Sequence, residues 1–139
     1  MFKQLTLIFC FFLAAVAGFG QSPPNPRSAK PAKIQYGTAS YYADKFEGRQ
    51  TATGEIFTQQ KMTAAHNTLP LGTWIRVTNL SNKKTVVVRI NDRLHPKNPR
   101  LVDLSKTAAK KLGYIGEGLT RVRVEVLGKK EPQQDLAAK

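Results

Sequence analysis

The chain has 139 residues, with 22 Lys and Arg against 9 Asp and Glu, for a formal net charge of +13. That length allows one domain with short flanking segments, and the basic balance points to a polyanionic partner. A single cysteine, Cys10, excludes an intramolecular disulfide and any Cys-rich metal module.

The chain opens with one cation, Lys3, followed by 13 uncharged, mostly apolar residues from Leu5 to Ala17. Gly18-Phe19-Gly20 then places small residues at the −3 and −1 positions of a cut before Gln21. A basic start, a short apolar run and a small-x-small exit describe a secretory signal peptide over residues 1–20. The run is shorter than the roughly 18 apolar residues that span a bilayer. The expectation is therefore export to the periplasm or cell envelope, without stable membrane insertion and as a monomer. Phe9 stands directly before Cys10, where a bacterial lipoprotein carries a small residue, so no lipid anchor is expected. Export argues against nucleic acid as the polyanion and leaves lipids, acidic wall polymers and peptidoglycan.

Ser22–Lys33 contains four prolines and no apolar periodicity, so residues 21–33 read as an extended linker. Residues 34–128 form the expected domain, and residues 129–139 a polar tail. Ile34–Tyr42 is rich in aromatic and β-branched residues. Thr73–Asn79 alternates, with Ile75 and Val77 opposite Trp74, Arg76 and Thr78. Thr85–Asn91 is a β-branched run, joined to the preceding segment by the polar connection Asn79–Lys84. Leu101–Leu104 is a short strand candidate. Ser105 as N-cap, Lys106–Leu112 as body and Gly113 after the last turn specify one helix. Leu119–Leu127 sets Val122, Val124 and Val126 against Arg121, Arg123 and Glu125. Many short strands with one helix predict a mainly β fold closed into a small barrel, which also removes exposed strand edges.

Four polar residues stand out against this pattern: Glu55 in Thr51-Ala52-Thr53-Gly54-Glu55, His66 after Thr63-Ala64-Ala65, Asp92 after Val86–Asn91, and Asp103 in Leu101-Val102-Asp103-Leu104. A carboxyl held at the edge of an apolar strand is partly desolvated, which favours the protonated form that a general acid needs. Each residue also has a structural reading. Asp103 caps the helix or pairs with Arg100; Asp92 pairs with Arg93 or Arg89; Glu55 is a solvated turn residue; His66 is a satisfied core histidine. His95 lies in the loop Leu94–Pro99 and reads as exposed. No H-x-x-x-H or H-E-x-x-H spacing occurs, so neither a catalytic metal nor another cofactor is expected.

In order, Gly37-Thr38-Ala39-Ser40-Tyr41-Tyr42, Thr51–Glu55, Thr63–His66, Leu69-Pro70-Leu71-Gly72-Thr73, Val77-Thr78-Asn79-Leu80, Val88–Arg93 and Val102–Ser105 resemble the rare lipoprotein A (RlpA) family. These are lytic transglycosylases of bacterial peptidoglycan. The resemblance implies a six-stranded double-psi β-barrel like that of expansins and family-45 endoglucanases. It also implies cleavage of the MurNAc-β-1,4-GlcNAc bond with formation of 1,6-anhydro ends, in wall remodelling or daughter-cell separation. Glycan strands of peptidoglycan would be the partner. The family's functional positions fall on Glu55, His66 and Asp92, and the barrel relatives add Asp103. Asp92 is then the expected principal acid/base and Asp103 a second carboxyl acting on it by like-charge repulsion. A mouth-facing His66 and Glu55 would orient substrate, with Arg93, Thr53 and Tyr42 as substrate-binding residues. The second reading is a non-catalytic, expansin-like wall-loosening protein. The sequence departs from the family at Leu94–Pro99, where Gly-Pro-Phe is usual, and at Tyr41, where Trp is usual.

Overall fold

Six strands pair into a closed barrel. The computed structural model describes Gly20 and residues 32–133. The expected signal peptide apart from Gly20, most of the linker and the end of the tail lie outside the described residues. The strands are β1 (Ile34–Tyr41), β2 (Thr63–His66), β3 (Trp74–Asn79), β4 (Thr85–Arg93), β5 (Val102–Leu104) and β6 (Thr120–Gly128), with one helix, α1 (Lys106–Leu112), between β5 and β6. Around the barrel the order is β1-β5-β2-β4-β3-β6, closing back on β1. The β1–β5 and β2–β4 pairs are parallel, and the other four are antiparallel.

Alternation decides which face of β3, β4 and β6 is buried. On β3, Ile75 and Val77 point inward while Trp74, Arg76 and Thr78 remain partly exposed. Val86, Val88 and Ile90 of β4 and Val122 and Val124 of β6 join them in the core. Val126, expected on the same face, is only partly buried. Each fully buried aliphatic side chain contributes roughly 1.5–3 kcal/mol. One close approach sets the β1–β5 contact: a Cβ on Gly37 would lie 2.7 Å from Leu101 Cβ.

The helix has the expected bounds. Ser105 Oγ accepts from Ala108 N, and Gly113 ends the helix at φ 75°, a conformation that costs glycine little. Ala108, Ala109 and Leu112 are its buried face. Strand β2, in contrast, has no amphipathic pattern, because all four of its residues are buried. Ala64 joins the main core, while Ala65 packs on the other face with Tyr42 and Phe57, next to Phe46 and Leu94. That second face is the floor of the site. No helix among the described residues is long and apolar enough to cross a membrane.

Candidate active site

Strand register brings Asp92 and Asp103 into one cleft. Ala65 of β2 is in register with Asp92 of β4 on one side and with Asp103 of β5 on the other, and Asp103 is in register with Ser40 of β1. The row Ser40–Asp103–Ala65–Asp92 therefore crosses four strands on one face. Two strand steps separate the aspartates, roughly 10 Å between Cα positions. Ala65 leaves open space between them. All four residues line a cleft of about 480 Å³, walled by Tyr42, Phe46 and Leu94 and rimmed by Lys45, Arg93 and Arg100.

A β-bulge aims Asp92. The β2–β4 register shifts so that Ala64 faces Ile90 but Ala65 faces Asp92, and Asn91 is the extra residue. Regular pairing would have put Asn91 on the cleft row and turned Asp92 to the other face. The Asp92 carboxyl accepts three hydrogen bonds. Oδ1 takes the N–H groups of Ala52 (3.0 Å) and Arg93 (2.8 Å), and Oδ2 takes the Tyr42 hydroxyl (2.6 Å). Each carboxylate oxygen has about two acceptor sites, so Oδ1 is filled and Oδ2 keeps one. Tyr42 is fixed by stacking on Phe57 at 4.1 Å between ring centroids. Burial, then the bond to Asp92, raises its phenol pKa and keeps it a donor.

Asp103 sits differently. Burial holds its carboxyl above the ordinary carboxylate range, while the Arg100 guanidinium works against that shift. Arg100 Nε and Nη2 approach its two oxygens at 3.1 and 3.3 Å. Of the two structural readings of Asp103, the Arg100 pairing is the one present, and Ser105 caps the helix.

Of the other expected site residues, His66, Glu55 and Thr53 lie outside this cleft. His66 is 0% exposed. Its Nδ1 accepts from Thr68 N (3.0 Å) and Leu69 N (2.9 Å), and its Nε2 faces Gln35 Oε1 at 3.0 Å. Two donors on Nδ1 assign the proton to Nε2, which donates to Gln35. Burial, with Arg93 and Lys33 adding positive charge, lowers the imidazole pKa to about 4. The mouth-facing imidazole expected from sequence is thus a satisfied, buried one. Glu55 makes a bidentate pair with Arg89 at 2.7 and 2.6 Å and accepts from Thr53 Oγ1 at 3.1 Å. The Arg89 bonds hold its carboxyl below the usual range. Thr53 belongs to that cluster and does not line the cleft. Arg93 lines the cleft but spends one guanidinium nitrogen, Nη1, on the carbonyls of His66 and Leu69. Sequence reasoning missed Ser40 and Ala65, which carry no chemical signal. Among the described residues no group of three or more His, Cys, Asp or Glu is placed to hold a metal ion.

Comparisons with known proteins agree with this architecture. A profile of the family described as lytic transglycolase, a double-psi β-barrel domain, matches residues 34–124. The endolytic peptidoglycan transglycosylase RlpA of Haemophilus influenzae is 50% identical over 94 residues, covering 68% of this chain and 33% of that protein. The RlpA of Pseudomonas aeruginosa is 56% identical over 89 residues, covering 64% of this chain and 26% of that protein. The chain thus spans about a quarter to a third of the length of these two relatives. Among solved structures, the apo Clavibacter michiganensis expansin superposes with a TM-score of 0.57 at 22% identity, covering 72% of this chain and 53% of that one. At that identity the likeness concerns the fold. The motifs, the closed six-stranded barrel and the profile match together make this chain a member of the lytic transglycolase family, of the RlpA type.

Proposed function

We propose that the barrel is an endolytic peptidoglycan transglycosylase that cleaves the MurNAc-β-1,4-GlcNAc bond and leaves 1,6-anhydro-MurNAc ends. The observation that carries this is the pair of aspartates in one cleft, in register across Ala65, with unlike surroundings. Asp103, whose pKa burial raises, is the acid in this scheme and gives a proton to the departing GlcNAc O4 as the C1–O4 bond breaks. The C6 hydroxyl attacks C1, forming the C1–O6 bond, and the open Oδ2 site of Asp92 takes its proton. No water enters, and proton exchange with solvent resets both carboxyls. This division of labour differs from the sequence expectation of Asp92 as the principal acid/base, with Asp103 acting on it by like-charge repulsion. It rests on the burial of Asp103, which favours its protonated form, and on the acceptor site left open on Asp92 Oδ2. Phe46 and Leu94 offer apolar contact to a sugar ring, and Lys45, Arg93 and Arg100 offer cations to muramic and stem-peptide carboxylates. The protein acts in the envelope after export.

Mass spectrometry of fragments released from purified sacculi tests the reaction class. Fragments with 1,6-anhydro ends are expected. Reducing ends would make the protein a muramidase. Retained sacculus binding with no released fragments would establish the expansin-like reading.

The acid assignment has its own test. Arg100 favours the ionised form of Asp103, so Arg100→Gln lets Asp103 hold its proton to higher pH. The alkaline limb of the pH–rate profile should move upward. A limb that stays in place, measured with substrate below saturation, rejects Asp103 as the donor.

A further inference from the structure

Glu55 belongs to a loop that grips β4 at three points around the bulge, Arg89, Asn91 and Asp92. The loop is internally closed. Thr51 N donates to Glu55 O at 2.7 Å, Gly54 N donates to Thr51 O at 3.0 Å, and Gln50 and Ile56 form an isolated antiparallel bridge. Gly54 makes the turn at φ +91°, which disfavours other residues. From this unit the Glu55 carboxylate reaches Arg89, Thr53 N donates to Asn91 O at 3.2 Å, and Ala52 N donates to Asp92 Oδ1 at 3.0 Å. Arg89 is held in turn by strand pairing to Thr63 on one side and Trp74 on the other. The ion pair is thus the one charged clamp, among the described residues, between this loop and the strand that carries Asp92.

We propose that Glu55 and Arg89 act as one positioning pair: they seat the Ala52 N–H against Asp92 Oδ1 and so leave Oδ2 as the oxygen that faces substrate. Glu55 does not itself touch substrate. Both of its oxygens are committed to Arg89, and it does not line the cleft. Arg89 is thereby a functional residue although its side chain does not line the cleft. The physical reason is geometric. A carboxyl transfers a proton efficiently only within a narrow range of position, and a misplacement of about 1 Å can cost on the order of 100-fold in rate. Oδ1 has two backbone donors, of which Arg93 N belongs to the neighbouring residue of the same strand. Of the two Oδ1 donors only Ala52 comes from a separate segment, and together with the Tyr42 hydroxyl on Oδ2 it fixes the rotation of the carboxyl about its own axis.

This inference rests on the proposed lytic activity, and its test reads both rate and local structure. Glu55→Gln, Arg89→Gln and the double variant are compared with the parent protein. The pair acting as a unit predicts that all three lose a similar factor, about 10–100-fold in kcat. KM should change by less than about threefold. Amide exchange at Ala52 and Thr53 should accelerate in all three, while Ile90, bonded to Thr73 O inside the barrel, keeps its protection. Loss in Glu55→Gln far exceeding that in Arg89→Gln, with Ala52 exchange unchanged, would make Glu55 a catalytic group and overturn the proposal. Uniformly faster exchange across the barrel, with unchanged rate per folded molecule, would reduce the pair to a general stabiliser. Should the parent protein release no fragments, the exchange comparison still decides whether the pair seats Ala52.

Discussion

Asp92→Asn is expected to abolish release of glycan fragments, a loss of at least about 10²–10⁴-fold, while melting temperature and sacculus binding stay close to those of the parent protein. The surroundings of the carboxyl explain why the fold tolerates the change. Two backbone N–H groups converge on Oδ1, so the amide places its oxygen there and keeps both bonds. The amide nitrogen then faces the Tyr42 hydroxyl, which rotates from donor to acceptor. No buried group is left unpaired. The chemistry has no such alternative. The acceptor site on Oδ2 becomes an N–H donor, and an amide takes no proton from the C6 hydroxyl. The measurement is the initial rate of 1,6-anhydro fragment release from sacculi, beside a thermal melt and a sedimentation binding assay. Residual cleavage above about one tenth of the parent rate would remove Asp92 from the proton path.

The parts of this site that the sequence displays are those encoded locally. The helix was legible because its cap, body and stop lie within nine consecutive residues, Ser105 to Gly113. Strands β3 and β6 were legible because one face is core and the other solvent, which writes alternation into the sequence. Strand β2 was not legible. Thr63-Ala64-Ala65-His66 is buried on both faces, so no exposed position writes an alternation into it. That strand carries the register linking Asp92 to Asp103, so their shared cleft depended on the one element that leaves no pattern. The motifs flagged both aspartates as notable, but only pairing across β2 shows that they flank Ala65. Tyr42 likewise meets Asp92 across 50 positions of sequence. The flagged residues Glu55 and His66 have equally strong chemical potential, and nothing local distinguishes a side chain aimed into a cleft from one bonded to Arg89 or to a backbone turn.

His66 should show its role in stability against pH. Its folded pKa of about 4 lies below the ordinary value of 6.5, so between these values the unfolded chain binds the proton and the folded protein does not. Stability is therefore complete above pH 6.5 and falls as pH drops towards 4. A difference of that size in proton affinity corresponds to roughly 3 kcal/mol. Asp103 has the opposite sign. Its raised pKa makes stability fall as pH rises from the ordinary carboxylate range to the shifted value, so the two groups partly offset each other in mildly acidic solution. A variant isolates the histidine. His66→Asn keeps an acceptor near the Nδ1 position for Thr68 N and Leu69 N but has no proton to gain. It should melt lower than the parent at pH 7, having lost the bond to Gln35, and the gap should narrow by roughly 3 kcal/mol as pH falls to 4. His66→Ala leaves two backbone donors unpaired beside a cavity and should lose at least about 3 kcal/mol at pH 7. Urea titrations across pH 4–7 measure both. For a histidine that works in the turn and not on substrate, cleavage per folded molecule of His66→Asn should stay within a few-fold of the parent value. A drop of about 100-fold or more at unchanged stability would instead place the imidazole in proton transfer.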